Sequence, residues 1–68
     1  MQLDELRQAL KELNGERNAR FCFTNVPESL LVANAFLVPE EKDRMIKLTD
    51  GQKVYFVDPD KVAWVEIG

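Results

Sequence analysis

Arg44-Met45-Ile46-Lys47-Leu48-Thr49, Asp50-Gly51-Gln52, Lys53-Val54-Tyr55-Phe56-Val57, Asp58-Pro59-Asp60-Lys61, Val62-Ala63-Trp64-Val65-Glu66-Ile67: this stretch decides the fold. Three β-rich runs are punctuated by Asp-Gly and Asp-Pro, the pattern of an antiparallel meander. A two-residue Asp50-Gly51 turn places Ile46 and Leu48 on one face with Lys53 and Tyr55. A three-residue loop, Thr49-Asp50-Gly51, groups Ile46 and Leu48 with Val54 and Phe56 instead. Slipping by one residue exchanges the faces, so the cleaner apolar set favours the three-residue loop. Gly51 also suits the positive φ that closes a type I turn.

Pro59 has no N–H and a fixed φ, so Asp58-Pro59-Asp60-Lys61 must interrupt pairing. The chain then resumes with apolar residues on both sides, Val62 and Trp64 on one, Ala63, Val65 and Ile67 on the other. An antiparallel edge with one wet face does not alternate that way. The pattern predicts that both faces are covered, with a partner subunit among the candidates.

Upstream, Pro39-Glu40-Glu41-Lys42-Asp43 is a charged connection. Before it, Leu30-Leu31-Val32-Ala33-Asn34-Ala35-Phe36-Leu37-Val38 is apolar nearly all round and bounded by Pro27 and Pro39. Alanines and Pro27-Glu28 favour a helix. A helix there would have no wet face, so a buried, bent strand over 30–38 is the preferred reading and helix the alternative. Asn34, if buried, needs hydrogen-bond partners. Arg20-Phe21-Cys22-Phe23-Thr24 alternates as a strand, with Phe21 and Phe23 on one face. Glu16 to Arg20 reads as a polar connection. Residues 2–13 form an amphipathic helix: Leu3, Leu6, Leu10 and Leu13, with Ala9, recur at spacings of three and four. Asp4 and Glu5 favour its dipole, and Asn14-Gly15 supplies a left-handed stop.

Sixty-eight residues make one domain, 1–68. The elements are a helix at 2–13 and strands at 20–25, 30–38, 44–49, 53–57 and 62–67, mainly β with one N-terminal α-helix. So short a chain buries only about 60% of its unfolded surface. Cys22 is the single cysteine and histidine is absent, so neither an intrachain disulfide nor a Cys/His zinc site can stabilise it. Oligomerisation is the remaining device. At 46% hydrophobic and 31% charged the composition is that of a soluble globular chain. Asp4, Glu5 and Arg7 interrupt any signal-peptide reading, and the lone thiol suits a cytoplasmic location. A net charge of −3 argues against a broadly basic nucleic-acid surface.

A helix followed by five short, bent antiparallel strands resembles the Sm and Sm-like (LSm) family. The local match runs from Phe56 to Ile67. It is similar to the family's second motif: aromatic, aliphatic, Arg, Gly, Asn or Asp, any residue, aliphatic, then an apolar final strand. The resemblance implies a small five-stranded barrel. It also implies that the fifth strand pairs with the fourth strand of a neighbour, closing a homo-oligomeric ring on the order of five to eight chains. Val54, Tyr55, Phe56, Val57, Val62, Trp64, Val65 and Ile67 would then form the subunit interface. The departures fall on the family's functional positions. Asp58-Pro59 replaces the Arg-Gly pair that contacts uridine, and a carboxylate repels phosphate there. The Asp and Asn of the first motif fall near Pro39 and Asp43. Fold and ring are therefore expected, and the uridine pocket is not.

Three functions compete. The first is a non-enzymatic ring subunit serving as an interaction platform, with Tyr55 or Trp64 contributing contacts. The second is RNA binding of a modified kind, with Arg17, Arg20, Arg44 and Lys61 lining a face or pore beside Asp43 and Asp58, and aromatics stacking bases. The third is catalysis, which needs paired carboxylates in a pocket, and Glu40-Glu41 and Asp58/Asp60 read more plainly as turn residues. Asp58 and Asp60 alone lack the ligand count of a calcium site, and Cys22 has no base to activate it. The expectation is a chain with no enzymatic activity, cofactor, metal or membrane contact.

Overall fold

In the computed structural model, which describes residues 1–68, α1 (Leu3–Leu10) precedes five strands: β1 (Arg17–Phe23), β2 (Ser29–Leu37), β3 (Ile46–Thr49), β4 (Val54–Val57) and β5 (Val62–Ile67). A single 3-10 turn, Pro59–Lys61, joins β4 to β5. Leu6, Leu10 and Leu13 lie fully buried against the inner face of the sheet, beside Phe21, Val32, Ile46 and Leu48. Full burial of such a leucine contributes about 1.5–3 kcal/mol. The helix ends three residues before the expected boundary: Leu13 N–H donates to the Leu10 carbonyl at 3.2 Å in a tighter turn, and Asn14 and Gly15 then take positive φ, at 50° and 72°. Leu13 still reaches the core from the turn that follows. Ala9, grouped with the leucines on spacing, is exposed.

All pairing is antiparallel, in the order β4-β3-β2-β1-β5, and the sheet is not closed. The run over 30–38 is a strand, and its two-sided apolarity has a local cause. Between the pairs Arg17↔Ala35 and Ala19↔Val32, β2 has two residues where β1 has one. Asn34 takes φ 48° at this bulge. The extra residue lets Val32 and Ala35 both face inward and turns Phe36 outward. Asn34 is exposed, and its backbone N–H donates to Asn18 Oδ1 at 3.1 Å. β1 also starts at Arg17, so residues expected to be a polar connection are strand.

Two expectations about the final strands are corrected. The β3–β4 register is Thr49↔Val54, Leu48↔Tyr55, Lys47↔Phe56 and Ile46↔Val57, across a four-residue loop. Asp50 Oδ1 accepts from the N–H groups of Gln52 and Lys53, and Thr49 Oγ1 accepts from Gly51 N–H. These side-chain bonds stabilise the longer loop. Tyr55 and Val57 therefore face the core, while Val54 and Phe56 face solvent.

The second correction concerns β5. Cys22 pairs with Trp64 but Phe23 pairs with Val62, leaving Ala63 as an extra residue. This bulge puts Val62 on the inner face with Val65 and Ile67, so that only Trp64 is a large apolar group outside. The apolarity on both faces is thus largely intramolecular in origin. No helix is long and apolar enough to cross a membrane.

Candidate functional site

The topology leaves β4 and β5 as the two free edges of the sheet. Nothing in Val54-Tyr55-Phe56-Val57 carries charge, whereas exposed edges are ordinarily blunted by charge, proline or a bulge. Val54 is 56% exposed and Phe56 62%; on the opposite edge Trp64 is 49% exposed. Of the eight residues expected at an interface, these three present side chains to solvent. Val57 and Val62 belong to the core, and Tyr55, Val65 and Ile67 pack against it.

Phe56 is held from one side. Directly across the ladder, Lys47 places its Nζ 5.2 Å from the ring centroid, a cation–π distance. The lysine side chain is only 11% exposed. Its ammonium donates to Asp43 Oδ2 at 2.8 Å and also to Glu41 Oε1. The hydrogen bonds from Lys47 and from Met45 N–H hold the Asp43 carboxyl below its ordinary value, and the same carboxylates raise Lys47. On the next row out, Phe36, Thr49 and Val54 stand side by side across β2, β3 and β4. Phe36 and Lys47 were not singled out from sequence. The inversion of alternation at Asn34, a residue that tolerates left-handed backbone, was the available signal for Phe36.

The residues considered for RNA do not converge within one chain. Arg20 lies on the outer face of β1, paired with Glu66 and Ser29 Oγ, each at 3.2 Å. Asp43 holds Lys47. Asp58 caps the 3-10 turn, its Oδ1 accepting from Asp60 N–H at 3.0 Å. Arg44 lines a cleft of 300 Å³ with Gln2, Leu3, Asp4 and Asp60, and no second cation lines it. Arg17 and Lys61 are exposed elsewhere. A larger cleft of 480 Å³ is lined by Arg7, Gln8 and Lys11 of α1 and by Val38 and Glu40, where Arg7 Nη1 donates to the Val38 carbonyl at 3.4 Å; Asp4 and Glu40 balance its two cations.

The two outer edges, and not either cleft, are therefore the candidate site: strand edges with no neighbouring strand, flanked by exposed apolar side chains, with the Val62 carbonyl at the start of β5 accepting from the Met1 ammonium at 3.0 Å. No family model, no curated protein and no solved structure matches the chain.

Proposed function

We propose that this chain is a non-enzymatic, Sm-like subunit whose copies join edge to edge into a homo-oligomeric ring that serves as an interaction platform. One observation carries the reading: β4 and β5 stand at opposite ends of the same sheet, each without a strand on its outer side and each with a large exposed apolar side chain. Pairing the β4 of one copy with the β5 of the next is a heterologous contact, and a heterologous contact that closes makes a ring. It gives every edge strand a partner and continues the bent sheet from subunit to subunit. The short length of the chain supports the same conclusion, since a core of eleven buried hydrophobic residues gains from shared surface.

Light scattering on the full chain tests this. The expected molar mass is a whole multiple of 7.8 kDa, on the order of five to eight chains. A single-chain mass across the accessible concentration range overturns the ring. Titration with single-stranded RNA at low salt provides the second measurement. Binding with a strong salt dependence would move the function to RNA; no binding leaves the platform reading in place.

A further inference from the structure

We infer that the subunit contact is an antiparallel ladder in which the outer face of β4 meets the inner face of the next copy's β5, with Phe56 opposite Val65 and Val54 opposite Ile67. This rests on the edge-to-edge reading above and adds which faces merge. The directions of the backbone groups decide it. Val38 N–H donates to the Lys47 carbonyl at 2.9 Å, and Asp50 N–H to the Lys53 carbonyl at 3.4 Å. Lys47 therefore turns its polar groups toward β2, while Lys53, Tyr55 and Val57 turn theirs toward β3. Alternation leaves those of Val54 and Phe56 on the outer edge. At the other end of the sheet Asn18 and Gly68 exchange both bonds, at 2.8 and 3.0 Å. Glu66 and Trp64 thus face β1, and the outward groups of β5 are those of Val65 and Ile67.

Two residues that exchange hydrogen bonds across an antiparallel ladder carry their side chains on the same face. Val54 and Phe56 are exposed on the outer face of β4, whereas Val65 and Ile67 pack toward the core from β5. Bonding them crosses the faces. The register Phe56–Val65 with Val54–Ile67 engages all four residues. Shifting β5 by two residues one way sets Phe56 against Ala63, the bulged residue. Shifting it the other way sets Val65 against Asp58, which caps its own turn. The inferred ladder also stops short of Val62, whose carbonyl already accepts from the Met1 ammonium.

Crossing the faces gives each exposed aromatic a core to cover. The row Phe56–Val65 runs on into Phe21, and the row Val54–Ile67 into Ala19, both fully buried. On the opposite face Trp64 falls against Val57, at the margin of the first copy's core, and Glu66 against Tyr55. A parallel contact joins the same edges without crossing, and keeps Val54 and Phe56 on the solvent face. Lys47 enters the contact with Phe56 and brings no unpaired charge, because Asp43 and Glu41 already hold its ammonium.

Cysteine trapping distinguishes the register from the assembly. In a Cys22→Ser background, chains carrying Tyr55→Cys are mixed with chains carrying Glu66→Cys, Trp64→Cys, Gly68→Cys or Val65→Cys and oxidised. Molar mass is measured on the same mixtures before oxidation. Position 66 lies opposite 55 in the inferred ladder, 64 and 68 in the two shifted ones, and 65 in the parallel one. The expected result is a crosslink between 55 and 66 in excess of the other three. A multi-chain mass with another pair in excess, or with no crosslink, overturns the register and leaves the ring. A single-chain mass for the unsubstituted chain overturns both. Amide hydrogen exchange on that unsubstituted chain gives a second readout. The N–H groups of Val54, Phe56, Val65 and Ile67 should exchange slowly in the multi-chain species and fast after dilution to single chains. Fast exchange at all four in the multi-chain species overturns the ladder.

Discussion

Asn18 Oδ1 accepts a hydrogen bond from the backbone N–H of Asn34 at 3.1 Å, and Asn34 holds the left-handed conformation at the bulge of β2. The side chain of one strand thus ties down the irregular residue of the next, where the sheet turns from β1 toward β3. Asn18→Ala is expected to destabilise the fold by about 1 kcal/mol. Asn34→Val places a β-branched residue at positive φ and should cost about 1–2 kcal/mol. Asn34→Gly should be neutral or better. Urea midpoints of the three variants check this; equal stability of the Val and Gly variants would show that the kink is unstrained.

The same bulge marks the limit of what was legible in the sequence. The leucine spacing of α1, the meander after Ile46 and the strand over 30–38 all follow from period and punctuation. The faces of β2, β4 and β5 do not, because each depends on one residue inserted or omitted. Ala63 looks like any small apolar residue, yet as a bulge it returns Val62 to the core. The four-residue loop after Thr49 depends on Asp50 accepting two N–H groups, which outweighs the tidier apolar face of the shorter loop. The shorter loop alone would place Val54 and Phe56 inside. They are the exposed residues of the candidate edge.

The helix is held chiefly by its leucines, with Arg7 Nη1 donating to the Val38 carbonyl at 3.4 Å and the Met1 ammonium donating to the carbonyls of Pro59 and Val62. Leu6 and Leu10 are fully buried, and the N-cap residue Gln2 makes no side-chain capping bond. Leu10→Ala leaves a cavity under the sheet and should cost about 2–5 kcal/mol. A domain of this size has roughly 3–10 kcal/mol in total, so the variant should be largely unfolded at 37 °C. Ala9→Ser, on the exposed face, should change the midpoint by less than about 0.5 kcal/mol. Circular dichroism on heating separates the two.

Stability should fall at both ends of the pH scale. The N–H groups of Lys53 and Gln52 hold the Asp50 carboxyl below 3.8, as Lys47 and Met45 N–H do for Asp43. Each takes up a proton less readily folded than unfolded, so its contribution is complete above 3.8 and is lost as the pH drops through the folded value. Lys47 is raised above 10.5, so its contribution is complete below that and is lost as the pH rises through its folded value. Asp50→Asn keeps an acceptor but removes the charge, and should flatten the acid side of a plot of urea midpoint against pH. An unchanged acid slope would assign that loss to other carboxylates.

Charge placed on the free edge should separate assembly from folding. Phe56 is 62% exposed, so Phe56→Lys should destabilise a single chain by only about 1 kcal/mol, through the lost contact with Lys47 and the like charge set opposite it. Inside a subunit contact the same ammonium would be stripped of water beside Lys47, with no carboxylate free to pair with it, a loss of several kcal/mol for a buried unpaired charge. Trp64→Lys attacks the contact from the other edge. Each variant should therefore keep the circular dichroism of the parent while its mass by light scattering falls to that of one chain. Mixing the two variants tests polarity: a heterologous contact leaves one intact β4 and one intact β5 between them. Such a mixture should form heterodimers and no larger species, because the remaining edges both carry a lysine. Heterodimers absent while the parent still assembles would place the contact somewhere other than these two strands.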